Sequence, residues 1–516
     1  MPDYMYMLES RLSAEQRAVL LRVQELAAES STNVYLTGGA VRDLISGMPI
    51  RDLDFTVEGN ATRLARELEK GGARAVTEDE KLRYIEMIFS GDVDGSIAAA
   101  REEVYARPGV RPEARWSTIT ADLHRRDFSL NAVAISLNTA SRGLLLDPTN
   151  GLADLESREV RALSIHSFTN QPVRLLRAIR YAARMDFKLE SRTEEWFALA
   201  LERGLQESIA PGDAGSELRQ LAREDKPVAI LKLWEARGLL ESISPQLAKR
   251  HPHYEMLARI LKARDDLAAA GIRPRLASAI TYAALGKLKD REASSALHRL
   301  EYRADEIEAV VGIEDRAQKV AAALAGRKTA APTDAYAFLE KAPAELLVFI
   351  LAESSNSKAV AKIRTYLTKW RPLRQALPAA VLELESIGMP HGPKFDKAIE
   401  DLFLAQLLGK ARNPELRLKL LRKLSGIKEP PKKKIDEKER KKLGDKPKKK
   451  EGGKENAVAA APPGKPMQPP ARNEKAANDT RARLQAARQG NQATTPTPAK
   501  GAKAAPARKE SAARKR

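Results

Sequence analysis

The segment NVYLTGGAVRDLISGMPIRDLDFTVEGN, residues 33–60, predicts a strand, a glycine turn, a short helix and a second strand. The first apolar run ends at Gly38 and Gly39, whose backbone can approach phosphate oxygens closely. Arg42 follows on the short helix. Asp52 and Asp54 lie two residues apart in the second strand, and side chains at that spacing point to the same side. The segment therefore combines a glycine turn, an arginine and a pair of carboxylates, three features suited to phosphate chemistry.

Two neighbouring carboxylates repel each other unless a positive charge lies between them. A divalent cation is the usual solution, and Mg²⁺ prefers oxygen ligands. We predict that this strand–Gly-Gly–helix–strand unit holds a nucleoside triphosphate and its magnesium. Taken singly, a glycine pair is usually a plain turn and an Asp-x-Asp pair usually a solvated edge. Their combination at this spacing favours the metal–nucleotide site.

Length and composition limit the class of protein. The chain has 516 residues, of which 43% are hydrophobic and none is cysteine. This length predicts two or three domains, and the lack of cysteine excludes disulfides, thiolate metal sites and cysteine nucleophiles. The first residues, MPDYMYMLESRLSAEQ, do not resemble a signal peptide, and no apolar run is long enough to span a membrane. We expect a soluble cytoplasmic protein with no membrane partner.

The positive charge is concentrated at the carboxyl end. Most of the net charge of +20 falls on residues 428–516, which are rich in Lys, Arg, Pro and Ala and contain no aromatic residue. Such a segment buries too little apolar surface to offset its ordering entropy, so we expect it to be disordered. A basic tail of this kind commonly contacts RNA phosphates. The alternative is a tail that only keeps the protein soluble.

Strand and helix patterns divide the rest of the chain. Helices are predicted at residues 12–28 and 61–70, a strand at 84–89, and a proline-containing loop at 98–116. Strands alternating with helices indicate an α/β head at residues 1–160. Beyond it nearly every segment has helical spacing, which predicts an all-α neck at 161–250 and an all-α body at 251–427.

A second dense cluster of polar residues is DLHRRDFSLN at residues 122–131. Arg125 and Arg126 are suited to clamp phosphates through paired N–H donors. Asp127 is suited to accept from a ribose hydroxyl, and Asn131 to fix the loop. If the motif stood alone, a surface ion-pair cluster would be the better interpretation.

The helix predicted at residues 173–187 carries Arg174, Arg177 and Arg180 at spacings of three. This spacing places their guanidinium groups on neighbouring positions of one helix surface. We predict that they help to bind the nucleotide. The alternative is a solvated basic face of the helix.

These motifs together are similar to those of one family, the bacterial class II tRNA nucleotidyltransferases (CCA-adding enzymes) and poly(A) polymerases. The resemblance covers roughly residues 33–247. It rests on GGAVRD at 38–43, DLDF at 52–55, RRDFSLNA at 125–132, DPTNGLADL at 147–155 and PVRLLRAIRYAARMDF at 172–187.

The resemblance implies a DNA-polymerase-β-like catalytic head followed by helical neck and body regions. It also implies a reaction in which the 3′-hydroxyl of an RNA, above all a tRNA 3′ end, attacks the α-phosphate of ATP or CTP at a two-metal Mg²⁺ site. Asp52 and Asp54 would be metal ligands, with Glu103 as a third carboxylate. The resemblance also assigns the triphosphate to Gly38, Gly39 and Arg42, and sugar and phosphate to Arg126, Asp127 and Asn131.

One departure from the family concerns the choice of nucleotide. Its members read the incoming base with an Glu-Asp-x-x-Arg signature, and here the matching residues are Asn170, Gln171 and Arg174. A glutamine amide can still accept and donate hydrogen bonds, so C and A remain readable. The charge-assisted part of the recognition is lost. We predict intact chemistry with altered nucleotide selection.

Three hypotheses remain open at the level of sequence. The first is a tRNA nucleotidyltransferase that adds CCA or A to tRNA. The second is a poly(A) polymerase, which the basic tail favours because it would hold general RNA. The third is a non-catalytic RNA-binding relative, against which the retained Asp52, Asp54, Arg126 and Asp127 argue.

Overall fold

A mixed sheet carries the first part of the chain, and helices build the rest. The computed structural model describes residues 3–107, 109–411 and 413–427, and these belong to one compact unit. The predicted fold class, an α/β head followed by an all-α region, is confirmed. The predicted basic tail, residues 428–516, lies outside the described residues.

Seven strands form the main sheet, in the order β3-β4-β5-β2-β1-β8-β9. Two further sheets have two strands each, β6 with β7 and β10 with β11. The strands are β1 (Asn33–Thr37), β2 (Leu53–Glu58), β3 (Arg74–Asp79), β4 (Tyr84–Phe89), β5 (Val93–Ala99), β6 (Arg101–Val104), β7 (Glu113–Trp116), β8 (Ala134–Ser136), β9 (Leu145–Leu146), β10 (Glu159–Val160) and β11 (Lys188–Leu189).

Six helices accompany these strands: α1 (Tyr4–Arg11), α2 (Ala14–Glu29), α3 (Gly39–Ile45), α4 (Ala61–Lys70), α5 (Ile119–His124) and α6 (Gly151–Ser157). α2 begins at a capping box, in which the side chain of Ser13 and that of Gln16 each accept from the other's backbone N–H. α4 has its predicted ends and carries the chain from β2 towards β3. β2 and β5 are consequently parallel neighbours, with Asp54 paired with Ser96.

The predicted loop at residues 98–116 is wrong. β6 and β7 form an antiparallel hairpin in that segment, with Arg101 opposite Trp116 and Glu103 opposite Ala114. The strand was missed because β6 carries charged residues in place of alternating apolar ones. Arg101 and Glu103 neutralise each other across 2.9 Å, which makes their burial tolerable.

Nineteen helices follow in the described residues: α7 (Ser167–Asn170), α8 (Arg174–Met185), α9 (Ser191–Glu202), α10 (Pro211–Leu221), α11 (Pro227–Ala236), α12 (Leu240–Ile243), α13 (Pro245–Arg250), α14 (Tyr254–Ala269), α15 (Ala277–Leu285), α16 (Asp290–Arg299), α17 (Ala304–Val311), α18 (Ile313–Ala325), α19 (Pro332–Lys341), α20 (Ala344–Glu353), α21 (Ser357–Thr365), α22 (Arg371–Gln375), α23 (Pro378–Ser386), α24 (Pro393–Leu407) and α25 (Pro414–Ser425). No helix among the described residues has the length and apolar character needed to cross a membrane.

Two large cores hold the described residues together. One lies against the main sheet and includes Leu36, Phe55 and Ile97. The other extends from Phe128 in the head to Leu377 and also includes Phe403 and Leu407. The predicted division at residues 160, 250 and 427 therefore stays a prediction, since apolar packing runs across residue 250.

Candidate active site

The glycine turn after β1 carries an arginine directly above it. Gly38 has a φ of 67°, a conformation in which side chains are strained. A Cβ atom at Gly38 would lie 3.1 Å from Nη1 of Arg126. Glycine at this position therefore leaves the backbone accessible and lets Arg126 approach it closely. The structure brings together two residues predicted to hold phosphate.

The two predicted metal carboxylates lie at the beginning of β2. Asp54 is in the strand, and its Oδ1 accepts a hydrogen bond of 2.7 Å from the Ser96 hydroxyl of β5. Asp52 precedes the strand, and its Oδ1 accepts from Arg223 at 2.6 Å. Burial, together with the neighbouring charge of Asp52, raises the pKa of Asp54 to about 6.

This pair fits a hard divalent cation. Burial first, and the charge of Asp52 second, disfavour the ionised form of Asp54, and a bound cation would relieve both effects. No group of three metal-binding side chains occurs among the described residues. Mg²⁺ needs no such cage, because it is commonly held by one or two carboxylates together with substrate phosphates. Asp52 and Asp54 would hold it in that way.

The raised pKa of Asp54 predicts a pH-dependent cost to folding. Because the folded protein disfavours the ionised carboxylate, stability in EDTA should fall as the pH rises from about 4 through 6. Asp54→Asn removes the charge, so the variant should exceed wild type by about 1–2 kcal/mol at pH 8 and match it near pH 4. Urea unfolding at the two pH values measures this. Equal stabilities at pH 8 would contradict it.

Glu103 does not join the metal pair. Its carboxylate accepts from Arg101 at 2.9 Å and from Arg125 at 3.0 Å, and the Tyr105 hydroxyl donates to it as well. Burial disfavours its charge, yet Arg125 and Arg101 hold the pKa of Glu103 below its usual range. The structure therefore pairs Glu103 with the guanidinium groups of Arg101 and Arg125. It does not group Glu103 with Asp52 and Asp54 as a third metal carboxylate.

Residues predicted to bind sugar and phosphate form one hydrogen-bonded network. Arg42 donates to Oδ1 of Asn131 at 2.7 Å, and the Asn131 amide donates to Asp127 at 3.1 Å. Arg126 donates to the carbonyl of Asn131 at 3.1 Å. Asn131 thus connects the predicted triphosphate residue Arg42 with the predicted sugar residue Asp127.

Sequence reasoning missed Asp122, the residue that orients this network. It is fully buried and accepts from both Arg125 and Arg126, at 2.6 and 3.0 Å. Burial opposes its charge, but Arg126 and Arg125 keep the pKa of Asp122 below its ordinary value. Its position four residues before Arg126 on a helical pattern was the available signal.

The predicted base-reading residues lie at the junction of α7 and α8. The side-chain Oε1 of Gln171 accepts from Nε of Arg174 at 3.0 Å, and its Nε2 donates to the Tyr105 hydroxyl at 2.6 Å. Asn170 ends α7 and is half-buried. Tyr105, which the sequence did not single out, therefore fixes which way the Gln171 amide faces.

The arginines of α8 do not form a solvated face. Arg180 is 4% exposed and donates to Glu217 at 2.8 Å and to Glu224 at 3.0 Å. Arg177 donates to Glu217 at 2.9 Å and lies 3.8 Å from Asp127. The structure thus connects Arg177 with the network of Asp127 and Asn131 and places Arg180 in an internal ion network.

Comparison with known proteins agrees with these motifs. A family model described as the poly A polymerase head domain matches residues 34–161. The A-adding tRNA nucleotidyltransferase of Geobacter sulfurreducens is 26% identical over 424 residues, which cover 81% of this chain and 48% of that protein. The A-adding tRNA nucleotidyltransferase of Halalkalibacterium halodurans is 36% identical over 234 residues, which cover 44% of this chain and 55% of that protein.

Among solved structures, a tRNA nucleotidyltransferase complexed with a primer tRNA and an incoming ATP analog matches with a TM-score of 0.45 and 28% identity, over 68% of this chain and 99% of that chain. The chain spans about half the length of the curated relatives described above. The resemblance inferred from the motifs is confirmed by the family model and these relatives. The part of the chain that the family model covers, residues 34–161, is thus similar to a poly A polymerase head domain.

Proposed function

We propose that this protein is a template-independent nucleotidyltransferase that adds nucleotides from ATP or CTP to the 3′ end of a tRNA. The observation that carries the proposal is the shared location of two chemistries. Arg126 lies against Gly38 and donates to the Thr56 hydroxyl at 3.1 Å, and Thr56 is on β2 two residues after Asp54. The predicted phosphate-binding arginine thus lies beside the glycine turn, and its positive charge acts on the predicted metal carboxylate Asp54.

The names of the relatives support tRNA as the substrate class. Those relatives are named A-adding tRNA nucleotidyltransferases, and a further one, from Chromobacterium violaceum, is named a multifunctional CCA protein. We carry this substrate over to the present chain as part of the proposal. Addition of A alone and completion of CCA are its two forms, which differ in whether CTP is used.

In the proposed reaction, the oxygen of the RNA 3′-hydroxyl forms a bond to the α-phosphorus while the bond to the β-phosphate oxygen breaks, and pyrophosphate leaves. When bound at Asp52 and Asp54, magnesium supplies charge neutralisation and activation of the attacking hydroxyl. Arg42 and Arg126 would orient the triphosphate, because their positions are already fixed by Asn131. The protein's part is then positioning and electrostatics.

Selection of the base is assigned to Gln171 and Arg174, with Tyr105 as the residue that orients Gln171. Tyr105→Phe removes the acceptor of the Gln171 amide, which can then rotate, so discrimination between ATP and CTP should fall about tenfold. The ratio of kcat/KM for the two nucleotides measures the effect. Tyr6→Phe makes the same chemical change on an exposed side chain and should leave the ratio unchanged.

One incorporation assay tests the proposed function. Purified full-length protein and Mg²⁺ are incubated with three RNAs: a tRNA lacking CCA, a tRNA ending in CC, and an unstructured RNA. Each RNA receives labelled CTP and ATP, separately and together. Extension of the first tRNA by CCA supports CCA completion, and extension of the CC-ending tRNA by ATP alone supports A addition.

Two other outcomes would replace the proposal. ATP-only extension of the unstructured RNA as efficiently as of the tRNAs would identify a poly(A) polymerase. A lack of incorporation into all three RNAs, with RNA binding retained, would identify a non-catalytic RNA-binding relative.

A further inference from the structure

Reciprocal arginine hydrogen bonds connect the head with the segment after α10, next to the predicted metal carboxylates. Arg51 donates to the backbone carbonyl of Arg223 at 2.9 Å, to Glu224 at 3.1 Å and to Asp225 at 2.9 Å. In return, Arg223 donates to Asp52 at 2.6 Å. We call these five residues the head–neck clasp. Its two halves point in opposite directions, since each segment sends one arginine to the other.

The Arg223 half of the clasp contacts Asp52, one of the two carboxylates predicted to bind the metal. The same Nη2 atom that donates to Asp52 also donates to Asp94 at 3.2 Å. Asp94 lies on β5, the parallel neighbour of β2. One nitrogen therefore bridges Asp94 on β5 and Asp52, the residue directly before β2. Burial disfavours the charged guanidinium, but Asp52 and Asp94 raise the pKa of Arg223 above its usual value.

A guanidinium in contact with Asp52 and a divalent cation on the same carboxylate repel each other. Both would lie within a few ångströms of one oxygen pair, a distance at which like charges interact strongly even near the protein surface. The Arg223 side chain can move away from Asp52, because it is 37% exposed and Asp94 remains as a second partner. The Arg51 half of the clasp involves neither Asp54 nor Ser96 and can persist.

We propose that Arg223 competes with the divalent cation for Asp52, so that binding of the metal with its nucleotide opens the Arg223 half of the clasp. This inference rests on the proposed function, because it takes Asp52 and Asp54 as the metal site. Arg223 lowers the affinity for free metal. The triphosphate supplies further oxygen ligands and so raises the affinity for the metal enough to displace Arg223 from Asp52. Metal and nucleotide therefore bind together.

The test measures metal binding without any catalytic turnover. Full-length protein is titrated with Mn²⁺, and electron paramagnetic resonance counts the free ion. Arg223→Ala should bind Mn²⁺ roughly five- to tenfold more tightly than wild type in the absence of nucleotide, since a partly exposed ion pair no longer opposes the metal. The difference should shrink when a non-hydrolysable ATP analogue is present.

Arg275→Ala is the matched control. It removes a neighbouring arginine that lies 3.4 Å from Asp94 and makes no contact with Asp52 among the described ion pairs. Its Mn²⁺ affinity should change less than about twofold. Equal tightening in Arg275→Ala and Arg223→Ala would attribute the effect to general charge and overturn the proposal.

The remaining outcomes separate the competition from the metal site itself. If Asp54→Asn abolishes Mn²⁺ binding while Arg223→Ala leaves it unchanged or weaker, the metal site stands and the competition is wrong. If neither wild type nor any variant binds Mn²⁺ with the analogue present, the proposed metal site is wrong. Arg223→Gln, which keeps the length and polarity of the side chain, must reproduce the tightening of Arg223→Ala for the proposal to hold.

Discussion

Asp54→Asn is expected to reduce nucleotide incorporation at least about a thousandfold, while tRNA binding changes less than about threefold. Asparagine keeps an oxygen that can accept from Ser96, so β2 and β5 stay paired as in wild type. It removes the negative charge that would hold the metal. The expected loss therefore lies in the chemical step, and single-turnover kinetics at saturating RNA and nucleotide measures it.

Asp92→Asn is the control for this substitution. Asp92 lies on the exposed turn between β4 and β5, where its φ of 58° is tolerated by Asn as well as Asp. Its incorporation rate should equal that of wild type. A residual rate in Asp54→Asn above about one tenth of wild type would remove Asp54 from the metal site.

Local motifs made the head predictable. The glycine turn, the two carboxylates and the RRDFSLN segment can each be recognised from a few consecutive residues. The structure joins Arg42, Arg126, Asp127 and Asn131 in one hydrogen-bonded network. In the helical region, Pro343 directly precedes α20 and Pro414 is the first residue of α25, positions at which proline is tolerated in a helix.

Interactions between distant segments were not predictable. Arg223 follows Asp52 by 171 positions, and nothing near either residue indicates their ion pair. Glu103 was assigned as a third carboxylate from the family resemblance. It pairs instead with Arg101 on the same strand and with Arg125, which becomes its neighbour only when β6 packs near α5. The helical spacing on α8 correctly grouped its arginines, but spacing does not indicate which element covers a face.

The element that covers that face is α10, and its Glu217 is the residue on which the buried ion network depends. Glu217 is 2% exposed and accepts from Arg177 and Arg180, at 2.9 and 2.8 Å. Burial opposes its charge, while Arg180 and Arg177 hold the pKa of Glu217 below the usual range. Its contribution to stability is therefore fully present at pH 7 and is lost only as the pH falls through that lowered pKa.

Glu217→Ala should lower the free energy of unfolding by about 3–5 kcal/mol at pH 7, because it leaves two buried guanidinium groups with one carboxylate fewer between them. Urea unfolding measures the change. Glu306→Ala serves as the matched control, since Glu306 also accepts from an arginine of α10, Arg219 at 3.0 Å, but at a site 25–31% exposed. It should cost about 0–1 kcal/mol.

Equal costs for the two substitutions would mean that water reaches the α8–α10 interface and that burial does not strengthen the ion pairs there.

The loss of Glu217 also has a consequence for nucleotide binding. Arg177 lies between Glu217 and Asp127, so loss of Glu217 leaves Asp127 as the nearest carboxylate partner of Arg177. A Glu217→Ala protein that is still folded at low temperature should therefore show a raised KM for ATP, because Asp127 is drawn towards Arg177 and away from the ribose that we propose it binds.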